Sequence, residues 1–131
     1  MTQFQIPLFS TLIQAGFPSP ADDFIEQKLD LNEHLIDHPA ATFFVKSIGQ
    51  SMILDGIFPG DILIVDKSRN AQSGNIVVAS LNGDFTVKRF QKTHKSVILR
   101  PSNPDFKDIF ISDSDDFQIW GVVTYVIHKT G

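Results

Sequence analysis

Covalent catalysis needs a nucleophile and a base that can take its proton, and few residues of this sequence offer either. There is no cysteine, which removes thiol chemistry, disulfides and Cys-ligated zinc together. Ser51 stands in the tetrapeptide Gly49-Gln50-Ser51-Met52, in a loop that follows the branched and aromatic run 42–45. Serine beside glycine most often marks a turn, the chain has 11 serines, and no Gly-x-Ser-x-Gly elbow surrounds this one. Lys88 is the candidate base. Lysine serves in that role when burial lowers the pKa of its amine; the bland alternative is a side chain that snorkels at a solvent-facing edge. His34 and His38 lie one helical turn apart, but with no third ligand and no His-Glu-x-x-His pattern they predict no metal site. His94 falls in the polar stretch Lys92-Thr93-His94-Lys95 and reads as a solvated turn. The acidic run Asp113, Asp115, Asp116 reads as a solvated loop, because nothing in its spacing fixes a carboxylate pair.

Which of these residues can meet depends on the elements that carry them. Asn82-Gly83 is the strongest signal, since a two-residue hairpin turn needs positive φ at both positions and these two types tolerate it. Segments 76–81 and 85–90 are therefore predicted to pair, with Leu81 opposite Asp84 and, counting outward, Val77 opposite Lys88. Thr86, Lys88 and Phe90 then share one face of their strand and Phe85, Val87 and Arg89 the other, so a lysine must sit beside apolar residues. Runs at 42–45, 62–65, 97–99, 109–111 and 119–127 complete a set of short strands without helix alternation, which predicts a mostly β, largely antiparallel domain. The run 119–127 would leave an aggregation-prone apolar edge on so small a domain, which predicts dimerisation through strand edges and apolar strand faces. Helix is expected in one or two short pieces. Residues 21–33 read as helical turns, Asp30 caps a short helix through Ile36 with Glu33 three residues on, and Pro39 stops it.

Composition narrows the class further. The 131 residues are 42% apolar and 20% charged, enough for one packed domain and too apolar for a disordered tail. Eleven basic residues against 15 acidic ones leave a formal charge of -4, which disfavours a protein that holds nucleic acid by neutralising phosphates. The uncharged stretch 1–21 contains Pro7, Pro18 and Pro20 and lacks both a basic start and a long apolar run. It predicts neither a membrane-spanning helix nor a secretory signal, so a cytoplasmic protein with no membrane partner is expected. What remains at the front is an apolar, unperiodic arm that ends in Phe17-Pro18-Ser19-Pro20, suited to be a docking segment or a substrate.

Three groups of residues, in order along the chain, resemble the LexA/UmuD family of self-cleaving serine peptidases. Gly49-Gln50-Ser51-Met52, Gly56-Ile57 and the stretch from Gly60-Asp61 to Asp66 are similar to its serine signature. The stretch from Gly83-Asp84 through Lys88-Arg89 is similar to its lysine strand, and Ala15-Gly16 to its scissile bond. The similarity runs from about Pro7 to the last strand. It implies a flexible N-terminal arm, residues 1–15, removed by self-cleavage between Ala15 and Gly16, and a β domain of the family's C-terminal type over residues 16–131. It implies Ser51 as nucleophile, Lys88 as general base, and the backbone N–H groups of Gln50 and Ser51 as oxyanion donors, with no metal and no cofactor. Thr86, two residues before Lys88 on the same face, is placed to orient the amine.

The resemblance also implies partners: a homodimer, a RecA filament on single-stranded DNA as activator, and a UmuC-like Y-family polymerase that the trimmed dimer serves in the SOS response. Two function classes follow, a peptidase that cuts itself once and a dimeric binding module that regulates a polymerase. Type I signal peptidases use a similar Ser-Met box and lysine base, but their membrane anchor is not visible in this sequence. No helix pair suited to reading DNA is visible either, which disfavours a repressor and direct sequence-specific DNA binding.

Overall fold

The computed structural model describes residues 5–9 and 25–131, and the chain divides into a unit of residues 1–37 and a unit of residues 38–131. In the first unit, β1 (Ile6–Phe9) pairs antiparallel with β2 (Ile25–Leu29), with Ile6 opposite Leu29 and Leu8 opposite Gln27. This corrects the helical reading of residues 21–33 over its described part. Glu26, Gln27 and Lys28 have no strong local preference against either state, so a partner strand some twenty residues earlier decides the conformation. Helix α1 (Leu31–Leu35) follows as expected, with Asp30 as N-cap; its carboxylate accepts from the N–H of Asn32 at 3.0 Å.

The second unit is one antiparallel sheet of seven strands. A short 3-10 turn (Pro39–Ala41) leads into β3 (Thr42–Lys46), and another (Ile53–Asp55) precedes β4 (Ile62–Asp66). Then come β5 (Ile76–Leu81), β6 (Asp84–Lys92), β7 (Val97–Arg100), β8 (Ile109–Ile111) and β9 (Phe117–Ile127). Their order across the sheet is β3-β4-β9-β5-β6-β7-β8. The predicted hairpin forms with the predicted register, Leu81 opposite Asp84 and Val77 opposite Lys88, around Asn82 at φ 51° and Gly83 at φ 90°. The acidic loop has a structural task that its composition hides. Asn82 Nδ2 donates to Asp115 Oδ1 at 2.9 Å and Asn82 Oδ1 accepts the Asp116 N–H at 2.8 Å, so the loop clamps the hairpin turn.

The expectation of an exposed edge at 119–127 is overturned. Strand β9 lies inside the sheet, hydrogen-bonded to β4 on one side and β5 on the other, and the sheet's edges are β3 and β8. Its length reflects two partners rather than a free edge. Gly121 lets β9 approach β4 closely: a Cβ there would stand 2.6 Å from Val65 Cγ1 and 3.0 Å from the Asp66 carbonyl oxygen. Apolar residues form two clusters. One gathers Met52, Ile57, Leu63, Val65 and Val78; the other gathers Val77, Ala79, Phe90, Leu99 and Val122.

Strand β4 is anchored at both ends by buried carboxylates. Burial by itself would raise the Asp66 carboxyl, but the hydroxyl and N–H of Ser68 and the ring of His38, 2.6 Å away, hold it well below the usual range. Asp61 is likewise buried, and it is lowered by the Phe58 N–H at 2.8 Å and by His128 at 2.6 Å. No helix among the described residues is long and apolar enough to cross a membrane.

Candidate active site

Two elements converge on one point. The loop after β3 turns at Gly49, whose φ of 81° suits glycine, and presents Ser51 just before the buried Met52. Met52 and Ile57 pack into the first core cluster and so fix the loop to the sheet. From the other side, β6 carries Lys88. Its Nζ lies 2.9 Å from Ser51 Oγ, 2.7 Å from Thr86 Oγ1 and 3.2 Å from the Val87 carbonyl oxygen. Arg89, the next residue, pairs with Asp55 at 2.9 Å and ties the segment after Ser51 to the strand that bears the lysine.

The amine is buried, with only 9% of the residue exposed, which removes the reading of Lys88 as a solvent-facing snorkel. Burial pushes its pKa below the ordinary value of 10.5, and no carboxylate among the described residues pairs with it to oppose that shift. Ser51, Thr86 and Lys88 stand in the wall of a cavity of about 480 Å³ whose other walls are mainly apolar, among them Phe43, Val45, Val78, Val87 and Trp120. Phe85 packs edge-on against Trp120, with ring centroids 5.4 Å apart, and both line the same cavity. Strand β7 pairs with β6 only from Arg89 onward. The outer backbone edge of 84–88 therefore has no strand partner among the described residues.

The structure thus brings Ser51, Lys88 and Thr86 together, as the hairpin register requires of the last two. The backbone N–H groups of Gln50 and Ser51 meet no acceptor among the described residues; Ser51 lines the cavity, and Gln50 is exposed beside it. Ala15 and Gly16 lie outside the described residues. His38 sits on Asp66, while His94 is exposed in the turn between β6 and β7. No cluster of three or more metal-ligating side chains occurs among the described residues. Sequence reasoning missed Ser102 and Asn103, which back the serine loop. The Ser102 N–H donates to the Ser51 carbonyl at 2.6 Å, and Asn103 Nδ2 to the Gln50 carbonyl at 2.8 Å. The only available signal was a polar pair between prolines, Pro101-Ser102-Asn103-Pro104, which reads as any loop would.

Comparison with known proteins adds an independent line. A model of the Peptidase S24-like family matches residues 7–124. Protein SamA of Salmonella typhimurium is 47% identical over 128 residues, covering 98% of this chain and 89% of that protein. Protein ImpA of Escherichia coli is 45% identical over 132 residues, covering 95% of this chain and 84% of its own length. Protein MucA of Escherichia coli is 43% identical over 121 residues, with coverage of 92% and 82%.

Proposed function

This chain belongs to the Peptidase S24-like family, and from that premise we propose that it is a serine endopeptidase that cuts its own Ala15–Gly16 bond. The observation that supports this most is the 2.9 Å separation of Lys88 Nζ and Ser51 Oγ in an apolar cavity, with the amine pKa lowered by burial. A neutral amine has two N–H groups and one lone pair. Thr86 Oγ1 and the Val87 carbonyl accept the two N–H groups, which aims the lone pair at the Ser51 hydroxyl. Lys88 takes the hydroxyl proton as Ser51 Oγ attacks the Ala15 carbonyl carbon. The carbonyl oxygen becomes an oxyanion, met by the N–H groups of Gln50 and Ser51. Collapse breaks the C–N bond, and the Lys88 ammonium returns its proton to the leaving Gly16 amine. Water, deprotonated by the same lysine, then hydrolyses the Ala15 ester and frees Ser51.

The outer edge of 84–88, which has no strand partner among the described residues, is suited to receive the segment carrying Ala15-Gly16 as an added strand, with main-chain hydrogen bonds holding it and the cavity taking alternate side chains. Docking it over Lys88 excludes water and favours the neutral amine. An activator such as a RecA filament on single-stranded DNA then need only bind the docked state better than the undocked one. Incubation of the intact chain at alkaline pH yields fragments whose masses correspond to residues 1–15 and 16–131. Mass spectrometry that finds no cut, or a cut at another bond, sinks this reading.

The trimmed chain acts as a dimeric accessory subunit of an error-prone Y-family polymerase in the SOS response. Supporting this is an apolar sheet face: Phe44, Ile64 and Tyr125 lie opposite one another on β3, β4 and β9, and Ile62 lies opposite Ile127. Phe44 is 57%, Ile127 46% and Tyr125 44% exposed, more apolar surface on one face than a solvated sheet usually carries. Sedimentation at micromolar concentration gives a dimer, and replacing Phe44 and Tyr125 by Ser converts it to monomer. A wild-type monomer under those conditions contradicts the dimer.

A further inference from the structure

The peptide between Gln50 and Ser51 is held from behind by a residue 53 positions further along the chain. Asn103 is 7% exposed, and both ends of its amide are engaged: Nδ2 donates to the Gln50 carbonyl at 2.8 Å and Oδ1 accepts the Asp105 N–H at 3.0 Å. Beside it, Ser102 donates its N–H to the Ser51 carbonyl at 2.6 Å and accepts the Leu54 N–H at 2.9 Å. A trans peptide unit is planar, and its C=O and N–H point in opposite directions. Fixing the Gln50 carbonyl toward Asn103 therefore aims the Ser51 N–H away from Asn103, and that N–H meets no acceptor among the described residues while Ser51 lines the cavity.

We infer that Asn103 is a positioning residue that locks the Gln50–Ser51 peptide plane so that its N–H serves as oxyanion donor. The inference rests on the self-cleavage reading. It answers a problem the loop itself creates. The plane turns about ψ of Gln50 and φ of Ser51, and neither residue's own N–H is hydrogen-bonded among the described residues. If the plane flips, the Gln50 carbonyl oxygen turns toward the place where negative charge develops, and attraction becomes repulsion. A preorganised donor is effective because its orientation is set before the reaction; here the Asn103 amide at 2.8 Å sets it, with a longer 3.4 Å bond from the Ile53 N–H to the same Gln50 carbonyl.

The test uses the full chain. Asn103→Asp keeps the volume and the Oδ1 acceptor for Asp105 but loses the donor to Gln50. Asn103→Ala, which adds no charge, serves as the second variant. Both are expected to keep the wild-type circular dichroism spectrum and to self-cleave ~10²-fold more slowly, the loss typical of one oxyanion donor. For Asn103→Ala the pH at which the rate levels off should not move, because no charge is added near Lys88. The carboxylate of Asn103→Asp raises the amine by itself, so the levelling pH is read on Asn103→Ala. A folded variant that cleaves as fast as wild type overturns the inference, and so does a slow Asn103→Ala chain whose levelling pH has shifted, since Asn103 would then act through the amine. A wild-type chain that never cuts itself overturns the self-cleavage reading and this inference with it. A wild-type chain that cuts, alongside variants that cut equally fast, overturns this inference alone.

Discussion

Ser51→Ala and Lys88→Met are each expected to reduce self-cleavage by ~10⁴-fold or more, to background, while the sheet stays folded. The serine hydroxyl supplies the bond-forming atom; the other hydroxyls of the cavity wall are those of Ser47 and Thr86, and Thr86 Oγ1 is engaged as acceptor of the amine at 2.7 Å. Methionine is close to lysine in length and volume but has no basic nitrogen, so Lys88→Met isolates the loss of the base from any loss of packing. The buried amine makes the fold no more stable, because burial disfavours its charged form. Thermal unfolding of Lys88→Met at pH 7 should therefore show a melting temperature equal to or above that of wild type. Gel analysis of the cleavage product gives the rate. A Lys88→Met chain that cuts itself at the wild-type rate at alkaline pH ends the Ser-Lys reading.

The second large effect is on pH. The active form of Lys88 is the neutral one, and burial shifts its pKa below 10.5. While the amine is mostly protonated, each added pH unit raises the neutral fraction, and so the cleavage rate, about tenfold. The rate levels off at the folded-state pKa, below the range of an exposed lysine. Stability carries the same sign. A lysine with a lowered folded-state pKa penalises the fold fully below that value, and the penalty disappears as pH rises to the unfolded-state pKa. Any stability advantage of Lys88→Met over wild type should therefore shrink as pH rises through that window. Cleavage rates from pH 6 to 11 and paired unfolding curves check both limbs. A rate independent of pH, or one that falls as pH rises, is incompatible with an amine base.

Much of the site could be read from the chain because its parts are local. The turn at Asn82-Gly83 and the two-residue repeat of a strand place Thr86 and Lys88 on one face and Val77 opposite Lys88, and the sheet has that register. Asp30 caps its helix for the same reason: the groups that satisfy one another lie within a few residues. Membership of the family was legible too, since the serine loop and the lysine strand are each contiguous motifs.

Tertiary structure decided the rest. Whether Lys88 faces water or a cavity depends on Phe43, Val45 and Trp120, none of which neighbours it along the chain. The strand at Ile25–Leu29 exists through pairing with Ile6–Phe9, and its own residues carry no signal strong enough to announce it. Strand β9 looked like an edge because a long apolar run is equally compatible with one partner or two; β4 and β5 flank it, and spacing in a single segment cannot count neighbours. The Asn103 amide reaches Gln50 across 53 residues. Local preference acts over a few residues, so the sequence by itself determined the strands of the seven-stranded sheet, the turn and the chemical types, whereas the β1–β2 pair, burial, long-range hydrogen bonding and strand neighbours arise only when distant segments pack.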